Sequence, residues 1–366
     1  MAVKYLSGNR IWGTDAERLA MTTTSSPPQT SWKELGRYTL TGEADTINVG
    51  SGTQEGTDGL GTGNFTAKDN LMILTHLLST GDVQARLQCN GDDADNYASR
   101  WSYDGASDTT SDVDADSMYY GHYTNPDSEF IVTTIRNNEL NEKLCITKNV
   151  FYQSSILHQD ETVSKWANTA NQIINVQVPN IQSGGFLSGS EVVVLGCDDN
   201  EADSGTNFWQ EQGTTSGDGT SSTMSATTNS KKYLMYGMCK VPSVGNTAAD
   251  MRFNGVSSST YKTRYRDNGG SLGSTSTTRL NIDNGGQTGA GNTSYSFGYI
   301  INVSGVEKLH ISQSTQSTAG AGNAPIRRDT WGYWSVTDLI TTVDGFNPEG
   351  AGEFGTGSNM RVWGSD

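Results

Sequence analysis

Short apolar runs alternate with polar turns along the whole chain. Runs of five to nine residues, at 70–78, 128–135, 173–178 and 191–195, are separated by stretches of Gly, Asn, Asp, Ser and Thr. Strands bounded by turns produce this pattern, whereas the 3.6-residue period of an amphipathic helix is not sustained over a useful length. We therefore expect an all-β protein built from many short strands.

Two Asn-Gly pairs mark tight turns between these runs. Asn90-Gly91 and Asn254-Gly255 each supply two residues that adopt positive φ at low cost. A type I′ turn needs positive φ at both central residues and is a strong signal for a two-residue hairpin. The sequence predicts a hairpin at each pair.

The chain contains an internal repeat. Residues 186–198 and 354–366 share the pattern Phe-x-Ser/Thr-Gly-Ser-x5-Gly-x-Asp at an offset of 168 residues. Other matches follow in the same order at similar offsets: Leu71-Met72 with Leu234-Met235, Asn90-Gly91 with Asn254-Gly255, Tyr97 and Arg100 with Tyr261 and Arg264, Asn137 with Asn302, Glu142-Lys143-Leu144 with Glu307-Lys308-Leu309, and Trp166 with Trp334. So many matches in register indicate a tandem duplication.

The repeat divides the chain into an arm and two domains. We expect an extended N-terminal arm at 1–30, a first copy at 31–203, a short linker at 204–206 and a second copy at 207–366. About 160 residues of antiparallel strands per copy suit a β-sandwich, most simply a jelly-roll-like one. The arm is polar except for an apolar set that we expect to hold it on a neighbouring subunit: Tyr5, Leu6, Ile11 and Trp12.

Charge and hydropathy narrow the range of partners. The net charge is −16, from 24 Lys and Arg against 40 Asp and Glu, and 43 of the 366 residues are Gly. An acidic chain lacks the basic face that binds nucleic-acid phosphates, so we expect no nucleic-acid partner. No apolar stretch approaches 18 residues and the first residues lack a signal-peptide core, which predicts folding in a cytoplasm without membrane insertion. Four cysteines without a CxxC pair predict free thiols.

One loop of the first copy concentrates acidic residues. Alternating carboxylates can converge on calcium, which takes six to eight oxygen ligands. The loop is not an EF-hand, because Ser117 and Tyr123 stand where the motif needs Gly and Glu. A solvated acidic loop is the alternative, and calcium is the one cofactor we consider. The candidate ligands are Asp108, Asp112, Asp114 and Asp116.

Aromatic residues close to this loop are candidates for sugar stacking. A flat ring on a sandwich loop can stack on a glycan, although packing inside the domain uses the same residues. The candidates are Trp101, Tyr103, Tyr119 and Tyr120. Ser271 lies in a GxSxG pattern, but its turn-rich surroundings differ from a nucleophile elbow. Because no acid pair or triad recurs in the two copies, we expect no enzymatic activity.

The opening run Lys4-Tyr-Leu-Ser-Gly-Asn-Arg-Ile11-Trp-Gly13 and the repeat unit resemble structural proteins of marine tailed bacteriophages and archaeal viruses. The matching features of the repeat unit are its Leu-Met strand, Asn-Gly turn, Tyr-x-x-Arg, Glu-Lys-Leu, Trp and Gly-Ser-x5-Gly-x-Asp. The resemblance covers nearly the whole chain and implies a coat, fibre, spike or decoration protein of a virion. It brings no catalytic residues with it.

Together these observations lead us to expect a non-enzymatic virion structural protein. It would be assembled in the host cytoplasm and would associate with its own copies and other virion proteins through the arm and the sandwich faces. A double jelly-roll major capsid protein is the alternative within this class. The alternatives outside it are a lectin-like fibre module that binds host surface glycans and a polysaccharide depolymerase.

Overall fold

The computed structural model of the chain describes residues 32–50, 52–56, 63–106, 109–121, 128–198, 208–243, 247–283, 293–316, 325–349 and 353–366. The predicted arm at 1–30 lies outside these residues. Within them the protein is all-β and contains no helix, so the predicted fold class is confirmed at that level. No helix in this part of the chain is long and apolar enough to cross a membrane. The four cysteines are free, and Cys89, Cys145 and Cys197 are buried.

The described residues of the first half form fifteen strands: β1 (Lys33–Leu40), β2 (Thr46–Val49), β3 (Gly52–Gly56), β4 (Asn70–Leu77), β5 (Ser79–Thr80), β6 (Arg86–Cys89), β7 (Tyr97–Tyr103), β8 (Thr109–Ala115), β9 (Met118–Tyr119), β10 (Ser128–Arg136), β11 (Lys143–Gln153), β12 (Ile156–Trp166), β13 (Val176–Pro179), β14 (Gly185–Phe186) and β15 (Glu191–Cys197). Nine of them form a large sheet in the order β3-β1-β15-β4-β10-β11-β12-β7-β8. A smaller sheet has the order β2-β13-β6-β9, and β14 pairs with β5.

In the part of the second half that the structure describes there are eleven strands: β16 (Gln210–Ser216), β17 (Thr223–Thr227), β18 (Tyr233–Lys240), β19 (Asp250–Phe253), β20 (Tyr261–Asp267), β21 (Leu272–Thr277), β22 (Ser294–Ile301), β23 (Lys308–Gln316), β24 (Ile326–Trp334), β25 (Thr342–Phe346) and β26 (Asn359–Ser365). Its large sheet has the order β16-β26-β18-β22-β23-β24-β20-β21, and its small sheet has the order β17-β25-β19.

Both large sheets contain the same arrangement of strands. If the eight common strands are numbered along the chain within each half, both sheets have the order 1-8-2-5-6-7-3-4, and both small sheets have the order 1-3-2. The first strand even carries the same irregularity, because the register shifts between Glu34 and Gly36 in β1 and between Glu211 and Gly213 in β16.

The four main sheets stack into four layers with three apolar cores between them. One core fills the space between the large and small sheets of the first half, and another does so in the second half. The third core joins the two large sheets, whose outer faces pack against each other. Alternation along β4 explains this, because Leu71 and Ile73 point into the first core while Met72 and Leu74 point into the joint between the halves.

Polar residues that recur in the repeat pin strands to loops in both halves. Asn137 Nδ2 donates to Lys68 O at 2.9 Å and to Ile173 O at 3.1 Å, and its Oδ1 accepts from Ile173 N at 2.6 Å. Asn302 makes the equivalent set with Lys231 and Ile340. Buried backbone groups need such partners, so these amides serve the framework.

Two buried lysines close loops in the same way. Lys143 Nζ and Lys308 Nζ each donate to three backbone carbonyl oxygens. The acceptors are Glu139, Asn141 and Asn168 in the first half and Val303, Val306 and Thr337 in the second. Burial lowers the pKa of Lys143 and lowers that of Lys308 to about 8. The lysine of the recurrent Glu-Lys-Leu motif therefore links loop segments through hydrogen bonds to their carbonyl oxygens.

The Asn-Gly pairs form the predicted turns but not the predicted hairpins. All four residues have φ between +53° and +69°, as in a type I′ turn. Each turn nevertheless leads from a small sheet to a large one, from β6 to β7 and from β19 to β20, so the flanking strands do not pair. The hairpin prediction is wrong here because a turn motif determines the local reversal of the chain and not the sheet that the next strand joins.

We expect Asn137→Ala and Asn302→Ala each to lower the free energy of unfolding by about 2–4 kcal/mol, because each removes three hydrogen bonds from buried backbone groups. Urea unfolding followed by tryptophan fluorescence measures the loss. Asn171→Ala is the control, since Asn171 is exposed and only its backbone N–H is bonded. Losses no larger than that of the control would contradict a framework role.

The hairpin between β11 and β12 offers a stabilising substitution. Ser154 and Ser155 have φ values of 50° and 69°, a left-handed conformation that Asn and Gly adopt more readily than Ser. We expect Ser154→Asn with Ser155→Gly to raise the free energy of unfolding by about 1 kcal/mol. Ser154→Ala with Ser155→Ala should lower it, and equal stability of the two double variants would refute the explanation.

Candidate functional site

The joint between the two large sheets is an apolar core to which both halves contribute. Tyr152 of β11 stacks on Tyr333 of β24 with ring centroids 3.9 Å apart. Val150 and Leu157 of the first half lie in the same core as Trp331 of the second. Burial of so many large side chains makes the two halves one packed body.

Charged pairs cross this joint at its margins. Lys148 Nζ lies 2.9 Å from Asp329 Oδ1, and Arg266 Nη1 lies 2.8 Å from Glu161 Oε2. Lys262 Nζ donates to Ser155 O at 2.6 Å. Each of these contacts joins one half to the other and so adds a polar link to the apolar joint.

Glu191 is the centre of another crossing network. Its Oε1 lies 2.9 Å from Lys232 Nζ and 3.5 Å from an Arg37 nitrogen, and it accepts a hydrogen bond from Tyr233 Oη at 2.7 Å. Burial alone would raise the pKa of Glu191, but Lys232 and Arg37 outweigh it and hold the pKa below its ordinary value. Glu191 is therefore a charged group that fastens the second half to the first.

A cluster at the end of the joint brings together chemically capable side chains. His158 Nδ1 lies 2.8 Å from Asp104 Oδ2 and 2.7 Å from Tyr103 Oη, and Arg264 pairs with Asp104 across the joint. Burial would raise the pKa of Asp104, but His158 and Arg264 lower it. His158 also stacks on Phe151 at 5.0 Å. Each member is engaged by another, so this arrangement holds the two halves together.

The predicted stacking residues do not form an open platform. Tyr119 and Tyr120 are 2% and 0% exposed, and Tyr120 Oη lies 2.7 Å from Thr75 Oγ1. Trp101 stacks on Tyr119 at 4.7 Å, while Tyr103 belongs to the His158 cluster. The interpretation of Tyr119 and Tyr120 as ligand-stacking rings is corrected, because Tyr120 packs in the first apolar core and Tyr119 is covered by Trp101 and Arg86.

The acidic loop and the arm fall largely outside the described part of the chain. Asp116 is exposed, and its Oδ1 accepts a hydrogen bond from Ser117 Oγ at 2.7 Å. Asp112 and Asp114 belong to β8, whose side chains at these positions lie outside the description, as does Asp108. The described residues contain no group of three acidic, His or Cys side chains placed to hold a metal. Calcium binding at this loop stays a prediction. The arm residues Tyr5, Leu6, Ile11 and Trp12 likewise lie outside the described residues.

The GxSxG pattern lies at a hairpin. Asn268 and Gly269 have positive φ and reverse the chain after β20, and Ser271 immediately precedes β21. A nucleophile elbow needs a helix after the serine, whereas the chain continues here as a paired strand.

Two buried carboxyl groups lie on the inner face of the first large sheet and were not predicted from the sequence. Glu129 Oε1 accepts a hydrogen bond from Asn149 Nδ2 at 2.5 Å, and Asp160 pairs in register with Asn149. Burial raises the pKa of Asp160 well above its ordinary value, and Glu129 and Asp104 add to the effect. Asp160 is thus a buried carboxyl group whose pKa is raised inside the sandwich. The residues next to Asp160 in β12 are polar, so the local sequence does not predict that Asp160 is buried.

An apolar surface remains uncovered beside the joint. Leu144, Ile146 and Val163 are 59%, 57% and 51% exposed, and Ile146 pairs directly with Val163 on neighbouring strands. We call these three residues the uncovered patch. They lie on the face of the large sheet that forms the joint, beyond the part that the second half covers. Exposed aliphatic clusters of this kind mark interaction sites.

The second half buries the residues at the same positions of the repeat. Leu309, Ile311 and Trp331 correspond to the uncovered patch, and all three are at most 3% exposed inside the joint. The two halves therefore pack off-centre. The end of the second large sheet that carries Leu309, Ile311 and Trp331 packs against the end of the first large sheet that lies away from the uncovered patch. The same position of the unit is a contact surface in one half and is exposed in the other.

The positions around the uncovered patch are polar. Thr134, Arg136 and Lys165 stand where the second half has Tyr299, Ile301 and Tyr333. The sequence signal for this surface was the run Leu144-Cys-Ile146, in which both faces of one strand are apolar.

No family model and no curated protein matches the chain. Solved structures similar to it include Ail, the attachment invasion locus protein of Yersinia pestis, in complex with the heparin analogue sucrose octasulfate, at 10% identity over 76% of this chain and 98% of that chain, with a TM-score of 0.12. Neisserial surface protein A matches at 7% identity over 76% and 97%, with a TM-score of 0.11. An acyl-CoA hydrolase from Agrobacterium tumefaciens matches at 7% identity over 60% and 76%, with a TM-score of 0.12. At these TM-scores the likenesses carry no argument.

Burial of Asp160 predicts a pH dependence of stability. Its pKa is raised in the folded protein, so the folded state binds more protons than the unfolded state above about pH 4, the ordinary Asp value. Below that pH Asp160 makes its full contribution to the free energy of unfolding. This contribution is lost as the pH rises through the pKa that Asp160 has in the folded protein. The groups facing it are Glu129, Asp104, Tyr119 and Tyr103.

Asp160→Asn removes this titration. We expect the urea midpoint of the wild type, relative to that of Asp160→Asn, to fall between pH 4 and pH 7. Asp116→Asn is the control, because Asp116 is exposed. Parallel pH curves for the wild type and Asp160→Asn would show that Asp160 is ionised in the fold.

Proposed function

We propose that the protein is a non-enzymatic structural component of a virion, built from two tandem copies of a jelly-roll-like β-sandwich. The observation that carries this proposal is the four-layer stack, in which the halves pack face to face and the recurrent Asn and Lys residues bond to backbone groups of strands and loops. The resemblance of the opening run and of the repeat unit to virion proteins agrees with it.

Strand order supports the duplication. Eight strands of each large sheet have the order 1-8-2-5-6-7-3-4, and three strands of each small sheet have the order 1-3-2. Unrelated units rarely share an eleven-strand order together with the register shift in the first strand, so descent of both halves from one unit is the simpler explanation.

Nested pairing of the chain ends supports the jelly-roll-like description. In the first half β1 pairs with β15 and β2 with β13, and in the second β16 pairs with β26 and β17 with β25. Rolling a long hairpin into two facing sheets produces this nesting. The hairpins β11–β12 and β23–β24 extend each large sheet beyond that plan.

Side-by-side packing favours a coat protein within this class. Domains in a fibre follow one another end to end, whereas here the two large sheets share a core along their faces. A double jelly-roll major capsid protein places two sandwiches side by side in the shell, and it is our second candidate. The burial of Tyr119 and Tyr120 removes support from the glycan-binding alternative.

Assembly is the property to test first. We expect the full chain to be an oligomer by multi-angle light scattering, and a chain lacking residues 1–30 to fall to the 39.3 kDa monomer less the mass of the arm. Thermal melting of both proteins checks that the sandwiches remain folded. A monomeric full chain at 100 µM would contradict the proposed function.

A further inference from the structure

We propose that the uncovered patch of one chain binds the N-terminal segment of a second copy through Ile11 and Trp12. This inference rests on the proposed function, because it names the surface through which the assembly would form. The occupant belongs to residues 1–31, which lie outside the described part of the chain.

The second half uses the same position of the unit as a contact surface. There the residues equivalent to the patch are buried by contact with a neighbouring sheet. Because the second half buries these positions against a neighbouring sheet, they are suited to apolar contact. In the first half the same positions are also apolar, as Leu144, Ile146 and Val163, but they are exposed.

The size of the patch selects the kind of occupant. A stable contact between two folded proteins buries about 800 Å² on each side, which three aliphatic side chains ringed by Thr134, Arg136 and Lys165 do not provide. A short extended segment carrying two neighbouring large apolar residues needs much less area. Ile11-Trp12 is such a pair in the segment before Trp32.

The position of β1, which follows the segment in the sequence, agrees with this assignment. Glu34, close to the start of β1, and Ile146 of the patch lie on one row of paired residues that runs across the sheet. The row passes through Glu34, Leu195, Met72, Thr134 and Ile146. Four strand spacings separate the two points, about 19 Å. The 20 residue steps from Trp12 to Trp32 can span about 66 Å, which leaves length to reach a neighbouring molecule.

The second copy is preferred because the direct path within one chain is occupied. Leu195 and Met72, which lie on this row between β1 and the patch, are buried under the second half. The segment of the same chain therefore cannot cross the face directly, whereas the segment of a neighbour approaches the patch from solvent.

The test compares two double variants of the full chain with the wild type by light scattering. Ile146→Asp with Val163→Asp alters the patch, and Ile11→Asp with Trp12→Asp alters the segment. We expect each to weaken association at least tenfold, and the combination to weaken it no further, because both disrupt one contact. Ile181→Asp is the control, since Ile181 is 49% exposed away from the patch.

The outcomes separate the two proposals. If the segment variant dissociates while the patch variant remains assembled, the segment binds elsewhere, so this inference fails and the proposed function stands. If both variants remain assembled, neither the segment nor the patch mediates association and the inference fails. A monomeric wild type contradicts both proposals. Unchanged circular dichroism and thermal midpoints establish that the variants are folded.

Disulfide trapping identifies the source of the segment. Chains carrying Trp12→Cys are mixed with chains carrying Val163→Cys and oxidised, and we expect a covalent pair of chains on a denaturing gel. Mixing Trp12→Cys with Ile181→Cys is the control. If a chain carrying both substitutions forms only an internal disulfide, the segment binds its own chain and the second-copy assignment is overturned.

Discussion

The structure depends on the need to cover both faces of two large sheets. Strand β4 is apolar on both sides, with Leu71 and Ile73 facing one way and Met72 and Leu74 the other, and its counterpart β18 is also buried on both sides. A sheet with two apolar faces is stable only with a layer on each. One small sheet supplies one layer for each half, and each large sheet supplies the remaining layer for the other. The four-layer stack follows from this requirement.

Residues that recur between the halves and residues that differ have separate roles. Asn137 and Asn302, like Lys143 and Lys308, satisfy backbone groups that every copy of this fold must bury, so both copies need them. The outer face of the large sheet has no such constraint and differs between the halves. Trp331 is part of the joint, while the corresponding Val163 is exposed. Two halves with the same strand order thus present two different surfaces.

Much of the fold was predictable from local patterns, and most of the site was not. The runs at 128–135 and 191–195 became β10 and β15, because alternation and turn residues act within a few positions. The Asn-Gly turns were also predictable, but their sheet partners depend on distant strands. Burial of Tyr119 and Asp160 and exposure of Ile146 depend on which face of the sheet another layer covers. That information lies in the packing of whole sheets and not in the sequence near each residue.

The nested pairing of the first and last strands also has a consequence for folding during synthesis. Strand β1 cannot take its place between β3 and β15 until residue 197 has left the ribosome, so the first half closes late and through contacts of long sequence separation. Even then Met72 and Leu195 remain exposed to water until the second half is complete. A first half that closes before the second half is complete therefore presents an apolar sheet face to water, the kind of surface that makes incompletely folded chains prone to aggregation.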